Sequence, residues 1–212
     1  MHKQGKLISI EGIEGAGKST ALNYIKGYLT QANIPSKFTR EPGGTPLAEK
    51  IRQFILSPAD DEVLDSETEL LLFFAARRDH LKKKIIPALN AGEWVVSDRF
   101  IDASYAYQGS GRQMDRHRIE MLDQWIVGKH YPDLTLLFDL DPSLGYARIK
   151  ARGGEQDHIE QEKNDFFVRV REAYLDRAKT YPERIKIIDA AASLSAVQEQ
   201  IKLIFDEWRK RQ

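Results

Sequence analysis

The sequence Gly12-Ile13-Glu14-Gly15-Ala16-Gly17-Lys18-Ser19 decides the fold of this chain. It fits the pattern of a glycine, four residues and then Gly-Lys-Ser, which is typical of a phosphate-binding loop (P-loop). An apolar run at 7–10 precedes it, and a helical pattern at 18–29 follows it. In this context backbone N–H groups and a helix N-terminus surround phosphate oxygens. We therefore predict a loop that holds a nucleoside triphosphate, rather than a simple glycine-rich turn.

The P-loop positions have distinct predicted roles. Lys18 is predicted to reach the β and γ phosphates, and the Ser19 hydroxyl to ligate Mg²⁺, which bridges phosphate oxygens. The residues predicted to bind the triphosphate are Gly12, Ile13, Glu14, Gly15, Ala16, Gly17, Lys18, Ser19 and Thr20. The sequence lacks the Asn-Lys-x-Asp segment with which a switch GTPase reads guanine. A kinase is the other class, and it needs a second site for the molecule that accepts the phosphoryl group.

Short apolar runs alternate with helical patterns along the rest of the chain. A long helical pattern extends from Ser66 to about Asn90, with Glu69 in the capping-box position. The further predicted strands are 37–40, 93–97, 134–140 and 185–188. Strands that alternate with helices imply right-handed crossovers and a parallel sheet covered on both faces. We predict an α/β fold of the P-loop nucleoside triphosphate hydrolase type, with a five-stranded parallel sheet, in a single domain over residues 1–212.

The composition restricts the partners of this chain. The 32 Lys and Arg side chains balance 32 Asp and Glu side chains, so no net field attracts the whole chain to nucleic acid or an anionic membrane. Cysteine is absent, which excludes disulfides and thiolate metal sites and suits a reducing compartment. No apolar run approaches the roughly 20 residues of a membrane span. We expect a soluble, cytoplasmic protein without nucleic-acid or membrane partners.

Polar residues follow the predicted strand at 93–97. Asp98-Arg99-Phe100 stands at its end, where a carboxylate can hold metal-bound water and a guanidinium can bind phosphate. The pair could equally be a structural ion pair. The segment from Ala103 to Arg112 brings tyrosines, an amide and a guanidinium together, and we predict that it is a recognition loop.

Three further segments complete a pattern: Thr39-Arg40-Glu41-Pro42-Gly43-Gly44-Thr45, then Arg52, then Leu72-Phe73-Phe74-Ala75-Ala76-Arg77. Together with Asp98-Arg99-Phe100 and Ala106-Tyr107-Gln108-Gly109-Ser110-Gly111-Arg112 they resemble thymidylate kinase in its bacterial form, in the right order and over nearly the whole chain. The resemblance implies transfer of the γ-phosphoryl of ATP to thymidine monophosphate (dTMP). The products would be dTDP and ADP, on the pathway to dTTP, and the enzyme would be a Mg²⁺-dependent homodimer.

The resemblance also implies how the acceptor is bound. The implied substrate-binding residues are Glu14, Arg52, Phe73, Arg77, Arg99, Ser104, Tyr107 and Gln108. Phe73 would stack on thymine while Arg77 and Gln108 hydrogen-bond the base, and Tyr107 would lie where a ribose 2′-hydroxyl would be. Without the resemblance, Phe73 and Phe74 are better interpreted as core side chains. At most one of these two adjacent rings can face the ligand.

The implied catalytic residues are Glu14, Lys18, Arg99 and Arg152, and the implied metal ligands are Ser19 and Asp98. Arg52 and Arg99 would clamp the acceptor phosphate in line with the γ-phosphoryl. Glu14 would approach the acceptor 3′-hydroxyl and the clamping arginine, although the residues alone allow a solvated loop side chain. No general base is needed, because the acceptor phosphate is already anionic.

A basic run, formed by Arg148, Lys150 and Arg152, precedes Gly153-Gly154. It resembles the family's lid over ATP, here at about 148–160. Arg148 is implied to bind ATP. Members with an acidic P-loop residue place an arginine in the lid, but His158 stands at that position here. Because the charge of histidine at pH 7 is conditional, Arg152 is the better candidate for stabilising the transition state. The same run could instead be a solvated helix face.

Two other functions stay open at this point. One is a related P-loop kinase that phosphorylates another deoxynucleotide or a nucleoside. The other is a regulatory nucleoside triphosphatase that binds ATP without a small acceptor. A preference for a base other than thymine would favour the first, and ADP release without an acceptor would favour the second.

Overall fold

The computed structural model describes residues 4–56, 64–153, 159 and 162–211. Its strands are β1 (Leu7–Glu11), β2 (Ser36–Arg40), β3 (Trp94–Asp98), β4 (Leu134–Asp139) and β5 (Ile185–Asp189). They form one sheet in the order β2-β3-β1-β4-β5, and every neighbouring pair is parallel. The prediction of a five-stranded parallel sheet is confirmed. All residues of the central strand β1 are buried, which explains its mostly apolar sequence.

Helices cover both faces of the sheet. They are α1 (Lys18–Gln31), α2 (Pro46–Leu56), α3 (Ser66–His80), α4 (Ile86–Asn90), α5 (Ile101–Ser104), α6 (Arg116–Ile126), α7 (Pro142–Arg152), α8 (Asn164–Thr180) and α9 (Leu194–Lys210). Successive β1 residues enter different cores: Ile8 and Ile10 pack in one hydrophobic cluster and Leu7 in another. No helix in the described part of the chain is long and apolar enough to cross a membrane.

The long helical pattern from Ser66 to Asn90 is helical throughout, with a π-helical segment at Leu81–Ile85 between α3 and α4. The capping-box prediction for Glu69 was wrong. Asp65 caps α3, because its side chain accepts hydrogen bonds from the backbone N–H groups of Glu67 and Thr68. Glu69 instead points into the protein, where it is buried.

The segment at 103–112 is not the predicted loop. α5 continues into a π-helical segment, Tyr105–Gly111, so most of the segment is helical. This segment packs along α8, where the Tyr107 ring makes edge contacts with Phe166 and Tyr174. Tertiary packing therefore holds this segment in a helical conformation, and the recognition side chains stand on a fixed helical wall.

The chain order brings the important strand ends together. From β1 the chain first builds the β3 and β2 side of the sheet and then crosses to β4 and β5 on the other side. The carboxyl end of β1 is therefore the topological switch point, where parallel α/β sheets bind ligands. The P-loop begins at this point, next to the end of β3.

Candidate active site

The P-loop curls tightly between β1 and α1. Gly12 and Gly15 have φ angles of 136° and 75°, a region that favours glycine. A Cβ at Gly12 would lie 2.5 Å from the carbonyl oxygen of Phe138, and one at Gly15 would lie 2.4 Å from that of Gly145. The loop is therefore held against both β4 and α7 at distances that only glycine allows.

The Lys18 side chain folds back over this loop and is buried. Its Nζ donates hydrogen bonds to the carbonyl oxygens of Gly12 at 2.9 Å and Ile13 at 2.7 Å. Burial, together with the positive charge of Arg99, lowers the pKa of Lys18 to about 8. An anionic phosphate in the loop would oppose both causes and favour the charged ammonium.

Three side chains from separate elements meet beside the P-loop. Nη2 of Arg99 donates to Oε1 of Glu14 at 2.5 Å and to the hydroxyl of Tyr107 at 2.8 Å, and that hydroxyl donates to Oε2 of Glu14 at 2.7 Å. Burial alone would raise the pKa of Glu14, but the charges of Arg99 and Lys18 hold it below its usual value. The Glu14–Arg99–Tyr107 cluster thus places an ionised carboxylate and a guanidinium at one point, and Glu14 is not a solvated loop side chain.

A cavity of about 420 Å³ lies over this cluster. The predicted site residues that line it are Glu14, Gly15, Gly17, Lys18, Ser19, Arg52, Phe73, Asp98, Arg99, Tyr107, Gln108 and Arg148. Residues from the P-loop and from the predicted acceptor site therefore share one space. Gly12, Ile13 and Ala16 belong to the loop but do not line the cavity, and Thr20 is exposed on α1.

The two cavity arginines outside the cluster are held by backbone carbonyls. Nη1 of Arg52 donates to the carbonyl oxygen of Pro42 at 3.1 Å. Nη1 of Arg148, on α7, donates to the carbonyl oxygens of Gly15 at 3.3 Å and Ala190 at 3.1 Å. Arg148 therefore connects α7 to the P-loop and to the residue that follows β5.

A metal that accompanies the triphosphate fits the residues of this cavity. Oδ1 of Asp98 is buried, and within the described residues it has no hydrogen-bond partner. A buried carboxylate oxygen of this kind is costly unless a ligand satisfies it. The Ser19 hydroxyl lines the same cavity, and oxygen atoms are the ligands that Mg²⁺ prefers.

Arg77 and Ser104 lie behind the cavity wall. Arg77 is only 1% exposed, and it donates from Nε to Oε2 of Glu41 at 2.7 Å, from Nη1 to Oγ of Ser104 at 3.0 Å and from Nη2 to the carbonyl oxygen of Phe100 at 3.1 Å. These contacts use three of the five N–H groups of the guanidinium. The base-binding roles of Arg77 and Ser104 stay predictions.

The two adjacent phenylalanines of α3 face different environments. Phe73 lines the cavity, whereas Phe74 is buried in the hydrophobic cluster that contains Leu7 and Phe100. This arrangement agrees with the expectation that at most one of the two rings can face a ligand.

Part of the predicted lid lies outside the described residues. Arg148 to Arg152 form the last turn and a half of α7, so this basic run is helical. The side chain of Arg152 lies outside the described structure, as do residues 154–158 and with them His158. The catalytic role of Arg152 therefore stays a prediction.

Two acidic residues that were not among the predicted site residues, Glu41 and Glu11, support the site from behind. Glu41 accepts hydrogen bonds from Arg77 and, at Oε1, from Nδ1 of His80 at 2.9 Å. Glu11 accepts from the backbone N–H of Phe100 and the hydroxyl of Tyr174, each at 2.8 Å. For Glu11 the available signal was an acidic residue at the end of a mostly apolar strand, which marks a buried polar group in need of partners.

A parallel α/β sheet with a P-loop at its switch point, opening into a cavity with acceptor-side arginines, defines a P-loop phosphotransferase. The family model for thymidylate kinase matches residues 10–201. The chain is 55% identical over 202 residues to the thymidylate kinase of Vesicomyosocius okutanii, covering 95% of this chain and 98% of that protein. It is 50% identical over 199 residues to that of Marinomonas sp. (strain MWYL1), covering 94% and 93%.

A solved structure of the same family is also similar to this chain. The crystal structure of thymidylate kinase from Ehrlichia chaffeensis matches with a TM-score of 0.76 at 33% identity, over 96% of this chain and 99% of that one. The chain belongs to the thymidylate kinase family and is thus a nucleoside monophosphate kinase.

Proposed function

We propose that this chain transfers the γ-phosphoryl group of ATP to dTMP and releases dTDP and ADP, a step in the synthesis of dTTP. The observation that carries the proposal is the Glu14–Arg99–Tyr107 cluster, in which a P-loop carboxylate holds an arginine from the end of β3. A guanidinium at this point can bind the acceptor phosphate within the same cavity as the P-loop. The transfer then needs little beyond positioning and charge stabilisation.

On the donor side, the backbone of the P-loop and Lys18 bind the phosphates of ATP. Ser19 and Asp98 would hold Mg²⁺ or its waters. Oδ1 of Asp98, which has no hydrogen-bond partner among the described residues, supports this assignment. When bound, the metal neutralises charge on the β and γ phosphates. Arg148 contacts the nucleotide from α7, and its position between Gly15 and Ala190 supports this role.

On the acceptor side, Arg52 and Arg99 clamp the phosphate of dTMP. Glu14 aims Arg99, so the guanidinium needs little reordering when the acceptor binds. The acceptor phosphate is anionic and attacks without a general base. The phosphate and the base of dTMP would be bound by separate groups, because the base would lie at the far side of the cavity.

At that far side, Phe73 stacks on thymine, and Arg77 and Gln108 hydrogen-bond its edge. Ser104 lies beside them and accepts a hydrogen bond from Arg77. The Tyr107 ring lies against the sugar. Its hydroxyl is hydrogen-bonded to Glu14 and Arg99, so the ring has a fixed position, which supports a role in excluding a 2′-hydroxyl. Arg152, in the lid, stabilises the transition state. The whole chain forms one domain.

A homodimer is the second part of the proposal. Leu71 on α3 is 57% exposed, and Met121 and Trp125 on α6 are 53% and 78% exposed. The two helices pack against each other, and these exposed apolar side chains support an interface with a second copy on this side of the molecule. Sedimentation equilibrium at micromolar concentration should give twice the mass of the chain, and Trp125→Glu should give a monomer. A monomeric parent would contradict this part.

We also propose a cytoplasmic location, because ATP and deoxynucleotides are made and used there. Cell fractionation with an antibody against the chain tests this. Enrichment of the chain in the membrane fraction would contradict it.

An acceptor panel tests the proposed activity. Coupled ADP release is measured with MgATP and, in turn, the deoxy monophosphates of thymine, cytosine, uracil and guanine, and without acceptor. We expect the highest kcat/KM with dTMP and negligible release without acceptor. Preference for another base would contradict the thymidylate assignment, and acceptor-independent release would support a triphosphatase.

A further inference from the structure

Glu69 is a buried carboxylate that contacts two residues of the opposite wall. It is 2% exposed, on the inner face of α3. Its Oε1 accepts a hydrogen bond from Nε2 of Gln108 at 2.8 Å, and its Oε2 accepts one from Nη2 of Arg112 at 3.0 Å. Glu69 itself does not line the active-site cavity, but Gln108 does. The carboxylate therefore contacts a cavity residue from behind.

Arg112 holds the carboxylate in place. Besides Glu69, it binds Glu162, and its guanidinium lies 5.1 Å from the centroid of the Phe166 ring. Burial and these charges leave Glu69 little freedom to turn away from Gln108. The orientation of the Gln108 side chain is consequently set by a group that is itself fixed.

A carboxylate can only accept hydrogen bonds, whereas an amide has one end that donates and one that accepts. Glu69 must therefore face the NH₂ group of Gln108, and the opposite rotamer would set two oxygens against each other. Because Nε2 is held on the Glu69 side, Oε1 diverges from it on the other side of the amide carbon. Gln108 is itself only 1% exposed, so the cavity is the space left to that oxygen.

We propose that Glu69 is a positioning residue that sets base specificity, by fixing Gln108 so that its carbonyl oxygen, and not its NH₂ group, faces the nucleobase. This inference rests on the proposed function, in which Gln108 contacts the base of the acceptor. The fixed oxygen suits thymine, whose ring N3 carries a hydrogen to donate. The ring N3 of cytosine carries none and would meet the oxygen with a lone pair.

The Glu69→Gln substitution tests this, because it keeps the size of the side chain but can donate as well as accept. The amide of Gln108 is then no longer fixed in one orientation. We expect the ratio of kcat/KM for dTMP to that for dCMP to fall about tenfold, through a higher KM for dTMP and better use of dCMP, with kcat for dTMP nearly unchanged. A merely structural role would lower both activities together and leave the ratio constant.

A double-variant cycle sharpens the test. In a Gln108→Ala background, Glu69→Gln should leave the ratio unchanged, because the group that it orients is gone. Glu67→Gln, the same substitution two residues earlier at an exposed position of α3, is the matched control and should not alter the ratio. Should Glu69→Gln not fold, Arg112→Gln, which loosens the carboxylate, should lower the ratio in the same direction.

The outcomes separate this inference from the proposed function. If the unsubstituted chain does not prefer dTMP, the proposed function fails. If it prefers dTMP, and the ratio does not change in Glu69→Gln or changes equally in the Gln108→Ala background, the positioning role of Glu69 fails alone.

Discussion

Nη2 of Arg99 lies 2.5 Å from Oε1 of Glu14, and only 17% and 14% of the two side chains are exposed. The contact joins the end of β3 to the P-loop, so the acceptor side and the donor side of the cavity are linked directly. Arg99 also has a φ of 66°, an uncommon conformation for a residue other than glycine. The arginine is therefore fixed both at its backbone and at its tip.

Glu14→Gln tests the value of this contact. The amide keeps the size of the side chain but removes the charge that aims Arg99, so we expect kcat to fall by about 10- to 100-fold. The KM for ATP should stay within about threefold of the parent value, because the P-loop backbone is unchanged. Steady-state kinetics with both substrates varied gives these constants. Glu120→Gln, at an exposed acid of α6, is the control; an effect of Glu14→Gln confined to ATP would contradict the account.

The pKa of Lys18, about 8 in the ligand-free protein, predicts a pH effect on ATP binding. This pKa is lowered, so Lys18 loses its proton as the pH rises through 8, whereas bound phosphate favours the charged form. We expect uptake of about half a proton on MgATP binding at pH 8, and of about a tenth at pH 7. Titration calorimetry in two buffers of different ionisation enthalpy measures it. Equal uptake at both pH values would show that another group is responsible.

Gly145 on α7 determines how closely that helix approaches the P-loop. A Cβ at this position would lie 2.7 Å from the carbonyl oxygen of Glu14, so Gly145→Ala must displace the loop or the helix. We expect a stability loss of about 1–3 kcal/mol and a fall in kcat/KM for ATP of about tenfold. Gly27→Ala on α1 is the matched control, since a Cβ there meets no atom within 4 Å. Similar kinetics for the two variants would refute the close-approach argument.

Glu11 predicts a pH effect on stability. Burial and the nearby charge of Asp102 raise its pKa to about 8, from 4.5 when unperturbed. Between these pH values the folded state keeps a proton that the unfolded chain releases, so the stability contributed by this group falls as the pH rises. Glu11→Gln removes this decline. Relative to the parent, the free energy of unfolding of this variant should rise by on the order of 1 kcal/mol per pH unit between about pH 6 and 8.

Urea unfolding of both proteins at several pH values in this range gives the difference in free energy of unfolding. A difference that does not change with pH would show that Glu11 does not hold the proton. The comparison within one pair of proteins removes the effects of titrating groups that do not interact with Glu11.

Arg152 is the prediction that rests on sequence alone. If the family's lid arginine acts from this position, Arg152→Ala should lower kcat far more than it raises the KM for dTMP, because the charge acts in the transition state. His158→Ala is the paired variant and should have little effect. Equal losses in the two variants, or a loss only in His158→Ala, would move the role away from Arg152.

Local patterns were enough to predict the fold. The P-loop was identified from residues within one strand-loop-helix unit, and the five strands from short apolar runs whose parallel pairing follows from the intervening helices. The family motifs then named most of the side chains that line the cavity. These patterns lie within short segments, so recognising them does not require knowledge of contacts between residues that are far apart in the chain.

Distant contacts explain what could not be predicted. Glu69 has the spacing of a capping box, but its partners Gln108 and Arg112 lie 39 and 43 residues along the chain, and nothing in the spacing shows which way the carboxylate turns. The segment at 103–112 was predicted to be a loop, but packing on α8 makes it helical. Gly145 was inconspicuous because its importance depends on the backbone of another element.

A bisubstrate ligand tests the central claim, that donor and acceptor occupy one cavity on either side of the Glu14–Arg99 contact. Adenosine and thymidine joined through their 5′ positions by a chain of five phosphates can span the P-loop and the Phe73 end only if the two sites are continuous. We predict inhibition competitive with both ATP and dTMP, weakened in Arg99→Ala. Competition with ATP alone, unchanged by Arg99→Ala, would contradict the account.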